Sequence, residues 1–367
     1  MRPYNVEIYD RDFTVVHHTN INEISYSEDY LSPDWNKITI AANNNVAVNQ
    51  YIRIKRGSED YFGIVGEIEQ GTQDKKLTSI TVYPISSLFD AEVVFDTDLQ
   101  GSAIALETML KNLIDAYFVN NADTLQNISG LNVVTTSTTY GWGFNIKSDV
   151  ENMHTAVINL YDVLIVRSLK KYGVRIKLIP DPQTRVLTLE IGKESGTKVI
   201  EADLPNIIKK SIVVGTTGTS TNKLIVHNSQ NYSQSIIYYL HTDLSYDTTD
   251  DDRITPVVYD IDVTEPTESK TFAQQAAEVA SNVFSGAEYN NLIELTMTND
   301  DVMVVPADIE IGQEISVISN GNTYKSILTG RKVSDTTTLI FGLIRQDFTK
   351  KLKTSRRYEE RNNGSRN

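Results

Sequence analysis

Val46-Ala-Val-Asn-Gln-Tyr-Ile-Arg-Ile-Lys-Arg-Gly57 reads as an amphipathic strand running into a turn, and the chain carries it twice. Val46, Val48, Gln50, Ile52 and Ile54 have counterparts at one constant offset in Ile309, Ile311, Gln313, Ile315 and Val317. Side chains alternate across a strand, so five matching positions of one parity amount to one strand face repeated. Past the strand, Arg56-Gly57-Ser58 corresponds to Ser319-Asn320-Gly321, with one extra residue in the later copy. Asn-Gly is a strong hairpin signal. Counting that residue, Ile64 pairs with Leu328 and Gly66 with Gly330.

The likeness extends to the flanks. A third strand follows each copy, Leu77–Tyr83 and Thr338–Leu343, and another precedes it, Asn36–Ile40 and Asn291–Leu295. Any two amphipathic hairpins resemble each other to some degree. Four strands in the same order, with a glycine kept in the second hairpin strand, favour two related antiparallel β-modules, one toward each end.

Between and around them the chain of 367 residues has room for more than one core. Val6 and Ile8, a turn at Asp10-Arg11-Asp12, then Phe13 and Val15 read as a hairpin feeding the first module. His17 and His18 are adjacent on a strand, point to opposite faces and read as surface residues. Leu106, Met109, Leu110, Leu113 and Tyr117 form a helical stripe with Ser102 as its cap. Tyr140-Gly-Trp-Gly-Phe144 could stack a sugar, and a buried turn is the preferred reading.

Ser148 and Glu151 have capping-box spacing ahead of Val150, Met153, Val157, Leu160, Leu164 and Tyr172, which predicts one long helix ended by Gly173. A hairpin follows, Val174–Ile179 and Val186–Ile191. Strands resume at Ser211–Val214, Lys223–Val226 and Ser235–Leu240. The Gly215–Lys223 loop between them lacks the ending of a phosphate loop. Asp247, Asp250, Asp251 and Asp252 read as a solvated loop, because their spacing departs from a helix-loop-helix calcium site. Thr271 and Gln274 open a second capped helix, with Phe272, Ala276, Val279, Ala280 and Val283 on one face and Gly286 as its stop.

The net charge of −14 argues against general nucleic-acid binding, which needs basic patches. Without cysteine there is neither a disulfide framework nor a thiolate metal site. Met1 to Glu7 lacks the apolar core of a signal peptide and no run reaches transmembrane length. The expectation is a soluble chain made in a cytoplasm, without stable membrane insertion. No nucleophile elbow, zinc-helix motif or dinucleotide fingerprint occurs, so neither an enzyme nor a cofactor or metal is expected.

Ile8-Tyr-Asp-Arg-Asp-Phe13, Ile24-Ser-Tyr-Ser-Glu-Asp-Tyr30 before Lys37-Ile-Thr-Ile40, Ile52-Arg-Ile54, Gly63-Ile-Val-Gly-Glu-Ile68 and Ile311-Gly-Gln-Glu-Ile-Ser-Val317 occur in an order that resembles the tail hub, or tail-tip, proteins of long-tailed phages and prophages. That group shares its fold with the baseplate hub of contractile phages and with the N-terminal part of tail-associated lysins. The resemblance covers most of the chain. It implies a mainly β, α+β protein in which two related antiparallel β-barrel, tube-like modules carry an inserted α+β domain and a helical insertion. The expected domains are 1–96 for the first module, 97–205 for the α+β domain, and 206–348 for the second module with its helical insertion at about 263–289. Residues 349–367 are expected as a disordered polar tail.

It further implies a homotrimer, a virion protein of the tail tip, adapting a six-fold tail tube to a three-fold tip. The partners implied are itself, the distal tail ring protein, the tape measure protein and a receptor-binding or fibre protein, with DNA only in transit through the channel. In many relatives the chain runs on into a peptidoglycan-cleaving or carbohydrate-binding part, and here it stops soon after Phe348, so lytic activity is not expected. Two other readings stay open: a carbohydrate-binding adhesion module, resting on 19 tyrosines and Trp142, and a hydrolase using paired acids.

Overall fold

The computed structural model describes residues 3–344 apart from 33, 42–45, 58, 71–76, 100–103, 145, 147–152, 215–220, 243, 255–256, 258, 265, 267–269, 285–286, 300 and 302. Strand β1 (Tyr4–Tyr9) and β2 (Val15–Ile21) make the N-terminal hairpin, with Phe13 at a φ of 64° and its N–H on the Asp10 carbonyl at 2.9 Å. After β3 (Tyr26–Asp29) come β4 (Asn36–Ala41), β5 (Tyr51–Arg56), β6 (Glu59–Gln70) and β7 (Leu77–Pro84). The sheet order is β2-β1-β5-β6-β7-β4. Period-two alternation puts Val6, Ile8, Ile38, Ile40, Ile52, Ile54, Ile80 and Val82 in one core. A ring nitrogen of His17 lies 2.9 Å from the Ala41 carbonyl, so the outer strands β2 and β4 approach each other and the sheet curls.

The middle of the chain holds β8 (Glu92–Asp96), α1 (Leu106–Ile114), β9 (Leu131–Thr135), β10 (Thr155–Asn159), α2 (Val166–Tyr172), β11 (Val174–Asp181), β12 (Val186–Lys193) and β13 (Thr197–Glu201). The expected stripe of α1 is buried at Leu106, Met109 and Leu110. Trp142 is buried and donates its indole N–H to the Ile104 carbonyl at 2.8 Å, and Phe144 is buried beside it. Tyr140 and Gly141 stay exposed, so the expected buried turn holds for Trp142 and Phe144 only.

The long helix expected ahead of Gly173 is corrected. Residues 155–159 pair with β8 as a strand, with Ala156 and Ile158 buried and Val157 exposed. A wide π-helical turn, Leu160–Ile165, then leads into α2. Its cap is Asn159, whose side chain accepts the Asp162 N–H at 2.9 Å. Gly173 ends α2 at a φ of 67°. Ser148 and Glu151 lie outside the described residues, as do Ser102, Gly286, most of the 215–223 loop and the 349–367 tail.

The remaining elements are β14 (Lys209–Val214), β15 (Lys223–Asn228), β16 (Asn231–Leu240), β17 (Tyr246–Asp247), β18 (Tyr259–Thr264), α3 (Phe272–Phe284), β19 (Asn291–Thr298), β20 (Glu314–Ser319), β21 (Asn322–Val333) and β22 (Thr336–Phe341). A second large sheet runs β13-β20-β21-β22-β19-β14, and β3 pairs with β21. The strands β15 and β16 do not join it. They form a small sheet, β17-β16-β15-β18, whose Leu224, Val226, Tyr238 and Leu240 pack on Phe272, Ala276 and Ala280 of α3. Strands β15–β18 and α3 therefore make a sheet-and-helix layer with a core of its own. The capping box of α3 forms: the Thr271 N–H donates to the Gln274 side chain at 2.9 Å and the Gln274 N–H to Thr271 Oγ at 3.3 Å. Among the described residues no helix is long and apolar enough to cross a membrane.

Candidate functional site

Gln50 and Gln313 close equivalent turns. Gln50 Oε1 accepts the Ala47 N–H at 2.8 Å, and Gln313 Oε1 accepts the Glu310 N–H at 3.3 Å. The Asn49 N–H donates to Val65 at 2.7 Å and the Gly312 N–H to Leu328 at 2.8 Å. Val65 and Leu328 return their N–H groups to Gln50 and Gln313 at 2.8 and 3.0 Å. The residue before each glutamine is left-handed, Asn49 at a φ of 70° and Gly312 at 83°. Asparagine and glycine are the residue types that adopt this conformation at least cost.

The hairpins beyond share their register. Tyr51 faces Ile64 as Glu314 faces Ile327, and Arg56 faces Glu59 as Ser319 faces Asn322. The turns are equal in length, which corrects the expected extra residue: Ile64 matches Ile327 and Val65 matches Leu328. Each second strand then carries an irregularity at the same place, between Val65 and Ile68 and between Leu328 and Gly330. Gly66 thus corresponds to Thr329, and Gly330 falls one position later.

The repeated face is not one continuous strand. Val46 and Val48, like Ile309 and Ile311, lie in the approach to the turn, ahead of the strands, and Val48 is exposed. Ile52 and Ile54 are buried in the first core, Ile315 and Val317 in the second. Gly57 and Gly321 sit in the hairpin turns, with Asn320 and Gly321 both at positive φ.

The two sheets meet along a seam. Strand β3, between β2 and β4 in the chain, joins the second sheet and pairs antiparallel with β21, from Tyr26 opposite Val333 to Asp29 opposite Gly330. A Cβ on Gly330 would stand 2.8 Å from the Glu28 carbonyl, so this approach requires glycine. Val333 of the second sheet packs into the first core. From the middle of the chain, β13 adds to β20 in parallel. Tyr30 extends the seam: its hydroxyl accepts the Ile176 N–H at 2.9 Å, and its carbonyl accepts the Tyr161 hydroxyl at 2.8 Å. Burial pushes both phenols up in pKa.

A cleft of about 350 Å³ opens where these parts converge, lined among others by Glu28, Asp60, Arg175, Lys177, Glu310 and Arg331. Lys177 reaches Glu310 at 2.8 Å, Arg175 pairs with Glu194, and Arg331 donates to the Ile309 carbonyl at 2.7 Å. The Arg331 Nε stands 3.8 Å from Glu28, whose carboxyl is pushed up by desolvation, partly offset by this cation. Charges that neutralise one another across three parts of the chain fix an orientation. No group of three or more metal-type side chains gathers among the described residues.

With this geometry in view, comparison with solved structures is informative. A tail protein from Neisseria meningitidis superposes with a TM-score of 0.54 at 15% identity, covering 93% of this chain and 96% of that one. The 43 kDa tail protein of prophage MuSo2 from Shewanella oneidensis gives 0.52 at 14% identity, covering 93% and 98%. The chain carries the fold of phage tail proteins. The coverage is nearly whole-length in both directions, so the likeness is one of the fold as a whole. No protein-family model matches the sequence, and no curated protein matches it.

Some connections lie beyond sequence reasoning. The Asp203 carboxylate accepts from Lys210, from Ser319 Oγ at 2.9 Å and from the Asn320 N–H at 2.5 Å, tying the second hairpin turn to the approach of β14. A single aspartate between Ala202 and Leu204 signals none of this. The glycine at 330 was visible, but its partner, the backbone of β3, was not.

Proposed function

We propose that this chain is a structural hub of a phage tail tip, acting as a homotrimer and not as an enzyme. The observation that carries the reading is the pair of hairpins sharing turn, register and irregularity at one offset. Two similar surfaces in each of three chains make six, which suits a three-fold assembly meeting a six-fold tube. In this reading the two large sheets, in residues 1–96 and 206–348, belong to two tube-like modules that arose by internal duplication. The small sheet with α3 is an insertion in the second. The part within 97–205 packs against both modules, sharing a sheet with β8 and lending β13 to the second sheet. The distal tail ring protein lies on one side of the hub. The tape measure protein and a receptor-binding or fibre protein lie on the other.

The tail proteins of Neisseria and Shewanella support the placement in a virion through their common fold. The net charge of −14 suits a channel through which DNA passes without adhering. The adhesion reading loses one of its supports, since Trp142 is buried with its N–H already engaged. Cryo-electron microscopy of intact tails tests the proposal: three copies at the tip beneath a six-fold ring are expected. Density for the chain only in fibres, or in six copies along the tube, overturns it.

A further inference from the structure

The second hairpin turns through Asn320-Gly321, both exposed and both at positive φ, 51° and 76°. Ser319 pairs with Asn322 directly behind them, which makes this a tight two-residue turn. Among the described residues nothing bonds the Asn320 side-chain amide or the Gly321 N–H. A Cβ placed on Gly321 would meet nothing within 4 Å, so the peptide joining the two residues stands clear of the fold.

An open Asn-Gly pair holds both reactants of an intramolecular acyl transfer. The Gly321 nitrogen, once its proton has passed to a solvent base, attacks Asn320 Cγ. The N–Cγ bond forms, the Cγ–Nδ2 bond breaks, and Nδ2 leaves as ammonia with a proton taken from solvent. The cyclic imide then takes up water. Opening at Cγ gives aspartate, and opening at the main-chain carbonyl gives isoaspartate, with the chain routed through Cγ. Glycine favours the first step because no side chain shields its nitrogen.

The fold resists that first step at one point. The Asn320 N–H donates to Asp203 Oδ2 at 2.5 Å, Ser319 Oγ donates to Oδ1 at 2.9 Å, and Lys210 pairs with the same carboxylate. Attack requires the Asn320 side chain and the peptide after it to turn until the nitrogen comes within bonding reach of Cγ. An anchored N–H on a left-handed residue, held between two paired strands, opposes that rotation. The anchor is the charge-assisted bond to Asp203.

We propose that Asn320-Gly321 is a site of self-modification, an amide-to-acid conversion that Asp203 holds in check. Conversion adds a carboxylate at the residue whose N–H binds Asp203. Two like charges then meet at the clamp, and the tie between the second hairpin and the approach of β14 loosens.

Incubating the full-length protein at mildly alkaline pH and following Asn320 by peptide mass spectrometry tests this, with isoaspartate separated by chromatography. Asn363-Gly364, the other Asn-Gly of the sequence, is read in the same digest as the reference. In the wild type Asn320 is expected to convert roughly tenfold or more slowly than Asn363, the worth of a hydrogen bond to a charged group. Asp203→Asn should raise the rate at Asn320 by a similar factor and leave Asn363 unchanged. Asn320→Asp, which installs one product directly, should melt below the wild type. A folded Asp203→Asn protein, checked by circular dichroism, that converts Asn363 and not Asn320 overturns the site. Equal Asn320 rates in the wild type and Asp203→Asn overturn the hold of Asp203, and so do equal rates at Asn320 and Asn363 in the wild type, a comparison that needs no variant to fold. An Asn320→Asp protein that melts with the wild type overturns the loosening of the clamp.

Discussion

Asp203 concentrates at one carboxylate what holds the second hairpin in place. The Lys210 ammonium, with the Asn320 N–H and the Ser319 hydroxyl, holds its pKa down at about 2. An unfolded aspartate titrates near ~3.9, so the folded pKa is the lower of the two. The clamp therefore contributes fully above the unfolded value and is lost as pH falls through about 2. Asp203→Asn is expected to lower the Tm at neutral pH and to flatten its fall in acid, read from melting curves over that window. An unchanged acid limb would show that the clamp contributes nothing. Gln313→Ala and Gln50→Ala each remove the acceptor of a turn N–H, at a cost of about 1–3 kcal/mol in chemical denaturation. The Gln50 change should cost more, because its amide also donates to Asp10 at 2.8 Å. The glutamines were legible in the sequence because each accepts an N–H from three residues earlier in its own turn. Asp203 was not, because Asn320 is 117 residues away.

At the scale of elements, the same division holds between local and distant partners. The spacing of Thr271 and Gln274 announced α3, since a capping box is complete within four residues. Met153, Val157, Leu160 and Leu164 have helical spacing, yet the first part of that run became a strand. Pairing with β8, some sixty residues back, overrode the local pattern, and the pairing partner was invisible in the stretch itself. The seam between β3 and β21 is of the same kind. Gly330→Ala should push the new Cβ onto the Glu28 carbonyl, destabilising by about 1–3 kcal/mol. Amide exchange should rise first across residues 26–29, before the β20-β21 hairpin loosens. Uniform acceleration over the whole chain would instead mean that the seam does not open separately.

For the whole molecule, the repeated hairpin was readable from one strand face and its glutamine, while the exact matching of glycines was not. Matching Gly66 to Gly330 inserts a residue that is not in the turn, and only the ladder shows that the turns are equal. The small sheet on α3 was hidden for another reason: β15 and β16 alternate like the strands of the large sheets, and which layer they join depends on what covers their apolar side. Light scattering of the purified chain across a concentration series bears most directly on the hub reading. The account predicts a species of three times the 41.2 kDa chain that persists on dilution. A stable dimer, or the mass of a single chain at every concentration, would contradict it.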